Sequence, residues 1–320
     1  MAKASSIVKT VLGLIFGLAF VGAGVFALLV VLNGGGGASP EPGGRVEPEP
    51  EVETLEPKSF PEYTWTELGM IADLIEAAPD EASGRAIAQE YGLIDADGRL
   101  TTATHLIVIE GGMTVEARLV GVLHDTRSDG QGRAALTFQV FPIAMRRFNP
   151  TASSAGGWKD SELRAWLAQD CMALLPPELS ERIVPVRKST DNAGKTDSTS
   201  EVTSTDDALW LFSCREVCGE ISWLADEFGY LSDGADAMLN AEGNQYEGFR
   251  QAGVNQYSDS DPYLVLPLRG DDVPWWYRTP YAFEFLAVTD DTFYQVTATG
   301  YASATNLADS EAGVSFGFCL

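Results

Sequence analysis

Lysine and histidine are the scarce residues of this 320-residue chain: only six of its 21 basic side chains are Lys, and it has two His. Set against 46 acidic residues, that scarcity gives a formal charge of −25. Binding to a phosphate backbone needs clustered Lys and Arg, so the composition argues against a nucleic-acid partner. Two histidines also leave little of the commonest catalytic base, and neither a His-Glu-x-x-His motif nor a Walker-type phosphate loop occurs. Wholesale disorder is excluded from the other side. Hydrophobic residues make up 45%, with 15 Phe, 10 Tyr and 7 Trp, enough to fill a core.

Uncharged residues run without a break from Val11 to Leu32, which as a helix spans about 33 Å, one crossing of a bilayer. A cleaved signal peptide is the competing reading, but its apolar region is usually only about 7 to 15 residues. No Cys follows the run, so a lipid anchor is not indicated. Lys3 and Lys9 precede it, and Glu41, Glu47, Glu49, Glu51 and Glu53 follow it. The positive-inside rule therefore predicts a cytoplasmic tail at 1–10, a membrane helix at 11–32 and an extracellular remainder. Residues 33–60, rich in Gly and Pro-Glu repeats, read as a stalk. The rest is expected to be one ectodomain, with a helical and strand part at 61–145 and a C-terminal part at 146–320.

Leu68, Ile71, Ala72 and Ile75 fall on one helical face after Trp65, and a second short helix is expected over 83–91. β-Branched and aromatic runs at 106–109, 115–122 and 135–141 predict strands, and more follow at 209–212, 283–288, 293–298 and 314–318. Leu163, Trp166 and Leu167 mark a helix with Asp160 as its N-cap, and Pro177 suits the first turn of another. Residues 189–207, almost all Ser, Thr, Asp and Gly, read as a long exposed loop. The fold class expected is α+β and loop-rich.

Short stretches line up in order along the C-terminal half. They are Gly156-Gly157-Trp158, Leu209-Trp210-Leu211-Phe212-Ser213, Glu242-Gly243-Asn244-Gln245-Tyr246, Trp275-Trp276-Tyr277-Arg278-Thr279-Pro280 and Gly313-Val314-Ser315-Phe316-Gly317-Phe318. Upstream, Gly121-Val122-Leu123-His124-Asp125 and Gly132-Arg133-Ala134-Ala135-Leu136-Thr137-Phe138 continue the likeness. Together they resemble an uncharacterised family of bacterial cell-surface domains with a Trp-Trp-Leu-Arg-Ser-Pro signature. The resemblance implies a C-type-lectin-like or formylglycine-generating-enzyme-like fold. Tyr277, Thr279, Cys214 and Cys218 depart from the pattern.

Trp275, Trp276 and Arg278 form the densest aromatic and cationic cluster, the kind that stacks on a sugar or anchors a protein partner. With Glu242, Asn244 and Tyr246 they are the candidate binding residues. The competing reading places at least one Trp in the core and Arg278 in a buried ion pair, because alternate strand residues face opposite ways. His124 with Asp125, and Cys214 with Cys218, are the candidates for an extracytoplasmic enzyme. Cys171, Cys214, Cys218 and Cys319 all lie outside the membrane on this topology and are expected to form structural disulfides, in any of three pairings. No cofactor is implied. Calcium is a weak expectation from Asp259 with Asp261, Asp290 with Asp291 and Asp206 with Asp207, without the Glu-Pro-Asn-type triplets of calcium-dependent lectins. The function expected is a membrane-anchored surface protein that binds an extracellular glycan or protein; an enzyme or a structural envelope module is the alternative.

Overall fold

A computed structural model describes residues 55–194, 196–222, 233–281 and 291–320. The predicted membrane span and most of the stalk lie outside these residues, as does the strand expected at 283–288. Among the described residues no helix is long and apolar enough to cross a membrane.

The packed domain already includes Phe60, one residue before the predicted boundary, which is buried and stacks 6.4 Å from Phe138. Helix α1 (Trp65–Glu76) starts at a reciprocal cap. The Thr64 hydroxyl accepts from the Glu67 amide at 3.1 Å, and the Glu67 carboxylate accepts from the Thr64 amide at 2.8 Å. Its apolar face is buried, and α2 (Glu81–Glu90), capped by Asp80, packs beside it. Four strands form the first sheet: β1 (Thr104–Val108), β2 (Thr114–Val122), β3 (Leu136–Val140) and, from the far end of the chain, β13 (Phe316–Cys319), in the order β1-β2-β3-β13. Trp65 packs on Phe138 and Phe318 against this sheet, with ring centroids 5.4 and 5.6 Å away.

Strand β4 (Met145–Arg147) leads to helix α3 (Glu162–Trp166). Ser161, not Asp160, caps α3: its hydroxyl accepts from the Arg164 amide at 3.1 Å. The helix continues through a π turn, Leu167–Cys171, and helix α4 (Pro177–Ser180) carries Pro in its first turn as expected. Of the stretch expected as a long exposed loop, residues 189–191 and 202–207 are strand instead. They make most of an antiparallel ribbon, β5 (Val186–Asp191) with β6 (Val202–Asp207), in which Thr190, Asp191, Thr205 and Asp207 are buried. The polar composition is compatible with burial because these side chains meet polar partners inside the molecule, as with Asp207, which accepts from Trp158 Nε1 at 3.0 Å and Arg164 Nε at 2.6 Å. Gly157 (φ 53°) seals the end of the ribbon, since a Cβ there would lie 2.1 Å from the Asp191 carbonyl oxygen.

Helix α5 (Cys214–Cys218), helix α6 (Asp233–Asn240) and helix α7 (Glu247–Ala252) follow. The stretch 209–212 is irregular, joined to β13 only by a bridge between Trp210 and Gly317. A small ribbon, β7 (Leu266–Leu268) with β8 (Asp271–Val273), precedes β9 (Trp275–Pro280). The second sheet runs β11 (Ala304–Leu307), β10 (Thr292–Val296), β9, β12 (Glu311–Gly313), β4. The architecture is mixed α+β, with several small sheets and few helices.

The expected disulfides are absent: all four cysteines are free and buried. Cys214 and Cys218 stand one turn apart on α5 with their sulfurs 3.9 Å apart, well beyond a bond of about 2 Å. Cys319 instead meets Thr137 at 3.3 Å.

Candidate functional site

Each residue of β9 is buried, because this central strand has covered faces on both sides. That overturns Trp275, Trp276 and Arg278 as surface binding residues. Trp275 donates to the Leu264 carbonyl and Trp276 to the Arg146 carbonyl, each at 2.9 Å. Alternation limits exposure to one face only where that face is open, and here neither is. Glu242 and Tyr246 are buried as well, and of the six candidates only Asn244 is exposed.

Several of these residues nevertheless meet, around a side chain that sequence reasoning passed over. Lys188, on β5, donates to Asp125 Oδ1 at 2.6 Å and to the Tyr246 hydroxyl at 2.6 Å, and pairs with Glu216 Oε1 at 2.9 Å. Its ammonium also stands 4.4 Å from the Trp210 ring. Asp125 takes two further bonds, from Tyr246 at 2.8 Å and from Thr137 Oγ1 at 2.7 Å. Glu216 receives the Arg278 guanidinium as a fork, with NH2 to Oε1 at 3.0 Å and NH1 to Oε2. Arg278 spends its other donors on Thr190 Oγ1 at 2.7 Å, the Leu211 carbonyl at 2.8 Å, and the Ser189 and Glu242 carbonyls at 3.1 Å each.

Local sequence positions each member. Ser213 and Glu216 form a reciprocal N-cap on α5, with the Ser213 hydroxyl accepting at 3.1 Å and the Glu216 carboxylate at 3.0 Å. The Ser-x-x-Glu spacing was the visible signal for Glu216. Lys188 had none, because the polar run after it masks a strand. Two cations, Lys188 and Arg278, thus balance two carboxylates, Asp125 and Glu216. Although burial opposes it, the Lys188 ammonium beside Asp125 holds that carboxyl down at about 2. Glu242 is the extra acid: burial pushes its carboxyl up to about 7, with Asp191 nearby adding to the rise. Its oxygens accept from the Asp191 amide at 3.0 Å and from Thr279 Oγ1.

The enzyme candidates do not assemble into a reactive set. The Asp125 carboxylate is committed to Lys188, Tyr246 and Thr137, while the His124 ring stacks on Tyr246 with centroids 4.1 Å apart. Burial lowers the pKa of His124. The bond to Cys218, with burial, pushes the Cys214 thiol far up, away from a thiolate nucleophile. Gly313-Val314-Ser315-Phe316-Gly317 has the spacing of a nucleophile elbow, but it joins two strands, and Ser315 is buried with its hydroxyl donating to the Val140 carbonyl at 2.8 Å. Among the described residues no three His, Cys, Asp or Glu side chains converge as metal ligands. Of the calcium candidates, Asp207 faces Arg164, Asp206 faces Arg187, and Asp261 accepts from Tyr263 N and Ser258 Oγ.

The second sheet, the terminal strand and most of this charged core lie in the stretch where a family model matches. The family described as Domain of unknown function (DUF6273) covers residues 134–320, more than half of the chain. The chain belongs to the DUF6273 family. The DUF6273 segment holds Lys188, Glu216, Glu242, Tyr246 and Arg278, while Asp125 and His124 reach the network from the irregular segment that follows β2. No curated protein and no solved structure matches the chain.

Concavities open on the surface of the described residues, and two of them bear on function. One, of about 280 Å³, lies beside Met113, Glu116, Phe141 and Arg269. The other, of about 230 Å³, lies between the 99–102 segment and α7, with Arg118 of β2 in its wall.

Proposed function

We propose that this protein is a recognition module of the bacterial cell surface. On this reading residues 11–32 anchor it, residues 1–10 stay in the cytoplasm, and the DUF6273 ectodomain, of C-type-lectin-like arrangement, binds an extracellular glycan or protein. The observation that supports binding over catalysis is that the candidate nucleophiles and bases are spent. Asp125 and Glu216 are neutralised by Lys188 and Arg278 in a buried network, and Cys214 is a buried thiol. Such a network fixes the irregular segments 209–213 and 242–246 onto the sheet and leaves the surface free for contact. The extracytoplasmic-enzyme alternative would need one of these groups uncommitted and open to substrate.

The test is a screen of the full-length protein in non-ionic detergent against glycans and surface-protein fractions, with calcium and with chelator. Saturable capture of a defined partner is the expected result. Absence of capture by folded protein under both conditions would overturn the recognition reading.

A further inference from the structure

Arg118 is a buried cation without a carboxylate. It is 7% exposed, and its guanidinium lies 3.7 Å from the Tyr263 ring centroid, with Phe249 and Phe141 at 5.4 and 5.5 Å. Its Nε and NH2 both donate to Gln139 Oε1, at 2.8 and 2.6 Å, and its NH1 donates to the Tyr263 carbonyl at 2.9 Å. A guanidinium carries five N–H groups; these three bonds leave two unspent. Elsewhere in this acidic chain Arg85, Arg127, Arg164, Arg182 and Arg278 each meet a carboxylate oxygen within 2.8 Å. No carboxylate among the described residues comes within ion-pair distance of Arg118. Asp261 acts on it only from farther away and is itself held by Tyr263 N at 3.0 Å and Ser258 Oγ at 3.1 Å.

A cation out of water and without a counter-charge is costly, and this one borders a cavity that a small anion would fill. Arg99 stands exposed at the rim, its guanidinium 3.5 Å from the Gln251 carbonyl. The lining also carries the hydroxyls of Thr101 and Thr102; the Gln251 amide beside them is already spent on the Leu100 amide, the Gly98 carbonyl and the Glu247 carboxylate. Gly248 keeps the α7 side of the wall close-packed, since a Cβ there would lie 2.9 Å from the Tyr263 hydroxyl. Two N–H groups of Arg118 that no residue takes up, a second cation at the mouth and two hydroxyls in the lining are what a carboxylate and the hydroxyls of a sugar ring would meet. The volume of about 230 Å³ suits one ring.

We propose that this cavity, with Arg118 at its wall and Arg99 at its rim, binds the carboxylate-bearing ring of an acidic sugar. The inference rests on the recognition reading and names its ligand class.

The test is calorimetry and thermal melting of the full-length protein with glucuronate, with glucose as the ring lacking the acid and N-acetylglutamate as the acid lacking the ring. Glucuronate should bind saturably and raise Tm, glucose should do neither, and N-acetylglutamate should bind more weakly. Ala252→Phe, at an exposed lining position, should weaken glucuronate binding about tenfold or more while leaving the ligand-free melt unchanged; Arg118→Lys, which loses the fork, should weaken it similarly. No glucuronate binding, equal binding by Ala252→Phe, or preference for N-acetylglutamate would overturn the inference. Partner capture in the screen without glucuronate binding would overturn this site alone. Glucuronate binding without partner capture would support this site and overturn the reading of the protein as a surface recognition module.

Discussion

Arg278 and Arg118 are both buried arginines, and they differ in what neutralises them. Arg278 grips Glu216 with two nitrogens and sits in a network where two cations meet two carboxylates. Arg118 has an amide, a carbonyl and an aromatic face, but no anion. The contrast separates scaffold from proposed site: a charge already matched inside the fold holds loops, whereas the charge that no described carboxylate matches, beside a cavity, is the one we propose to hold a ligand.

Breaking the matched arginine should have the largest effect. Arg278→Met leaves two buried carboxylates, Glu216 and Asp125, to the single cation Lys188, a loss of about 3 to 5 kcal/mol, which for a domain of this size lowers Tm by roughly 10 °C. A calorimetric melt within about 2 °C of the parent would show that the pair contributes little.

Proton linkage should be next. The folded Glu242 carboxyl sits at about 7, above its ordinary 4.5, so between those values the folded chain holds a proton that the unfolded chain releases. Its contribution is therefore most favourable below pH 4.5 and is lost as pH rises towards 7, by roughly 3 kcal/mol in all. Asp125 works in the opposite sense. Held at about 2 against an ordinary 3.8, it stabilises the fold above pH 3.8 and loses that contribution as pH falls towards 2. Urea titrations across pH 4 to 8 should show the slope due to Glu242, and Glu242→Gln should flatten it; an unchanged slope would contradict the burial of that charge.

Removing the unmatched arginine should cost less than removing Arg278. Arg118→Met leaves Gln139 Oε1 and the Tyr263 carbonyl without a donor, about 1 to 2 kcal/mol, but no stranded carboxylate. A loss equal to that of Arg278→Met, measured under the same conditions, would erase the distinction. The smallest effect concerns the thiols. Reductant should leave Tm unchanged, and alkylation should label the four cysteines only after unfolding, since all are buried and unpaired.

Much of the frame was legible in the residues themselves. The helical spacing from Trp65, the three strands before Phe141 and the Pro177 turn follow from periodicity, which reports one buried face directly. The competing reading of Arg278 as half of an internal ion pair also matches its geometry. What escaped was set by tertiary partners. The ribbon of β5 and β6 reads as loop because its buried positions are polar, and polar side chains are buried only when distant residues such as Trp158 and Arg164 meet them. Trp275 and Trp276 read as half exposed because a strand's alternation does not say whether both sides of its sheet are covered. Lys188 stands in that same polar ribbon, and nothing local marks it as the centre that joins Asp125, Tyr246 and Glu216.

The most direct test melts three proteins, the parent, Arg278→Met and Arg118→Met, with and without saturating glucuronate. Glucuronate should raise the Tm of the parent and of Arg278→Met, the second from a much lower starting point, and should leave Arg118→Met where it was. A rise that persists in Arg118→Met, or that vanishes in a folded Arg278→Met, would contradict the division between a matched scaffold and an unmatched site.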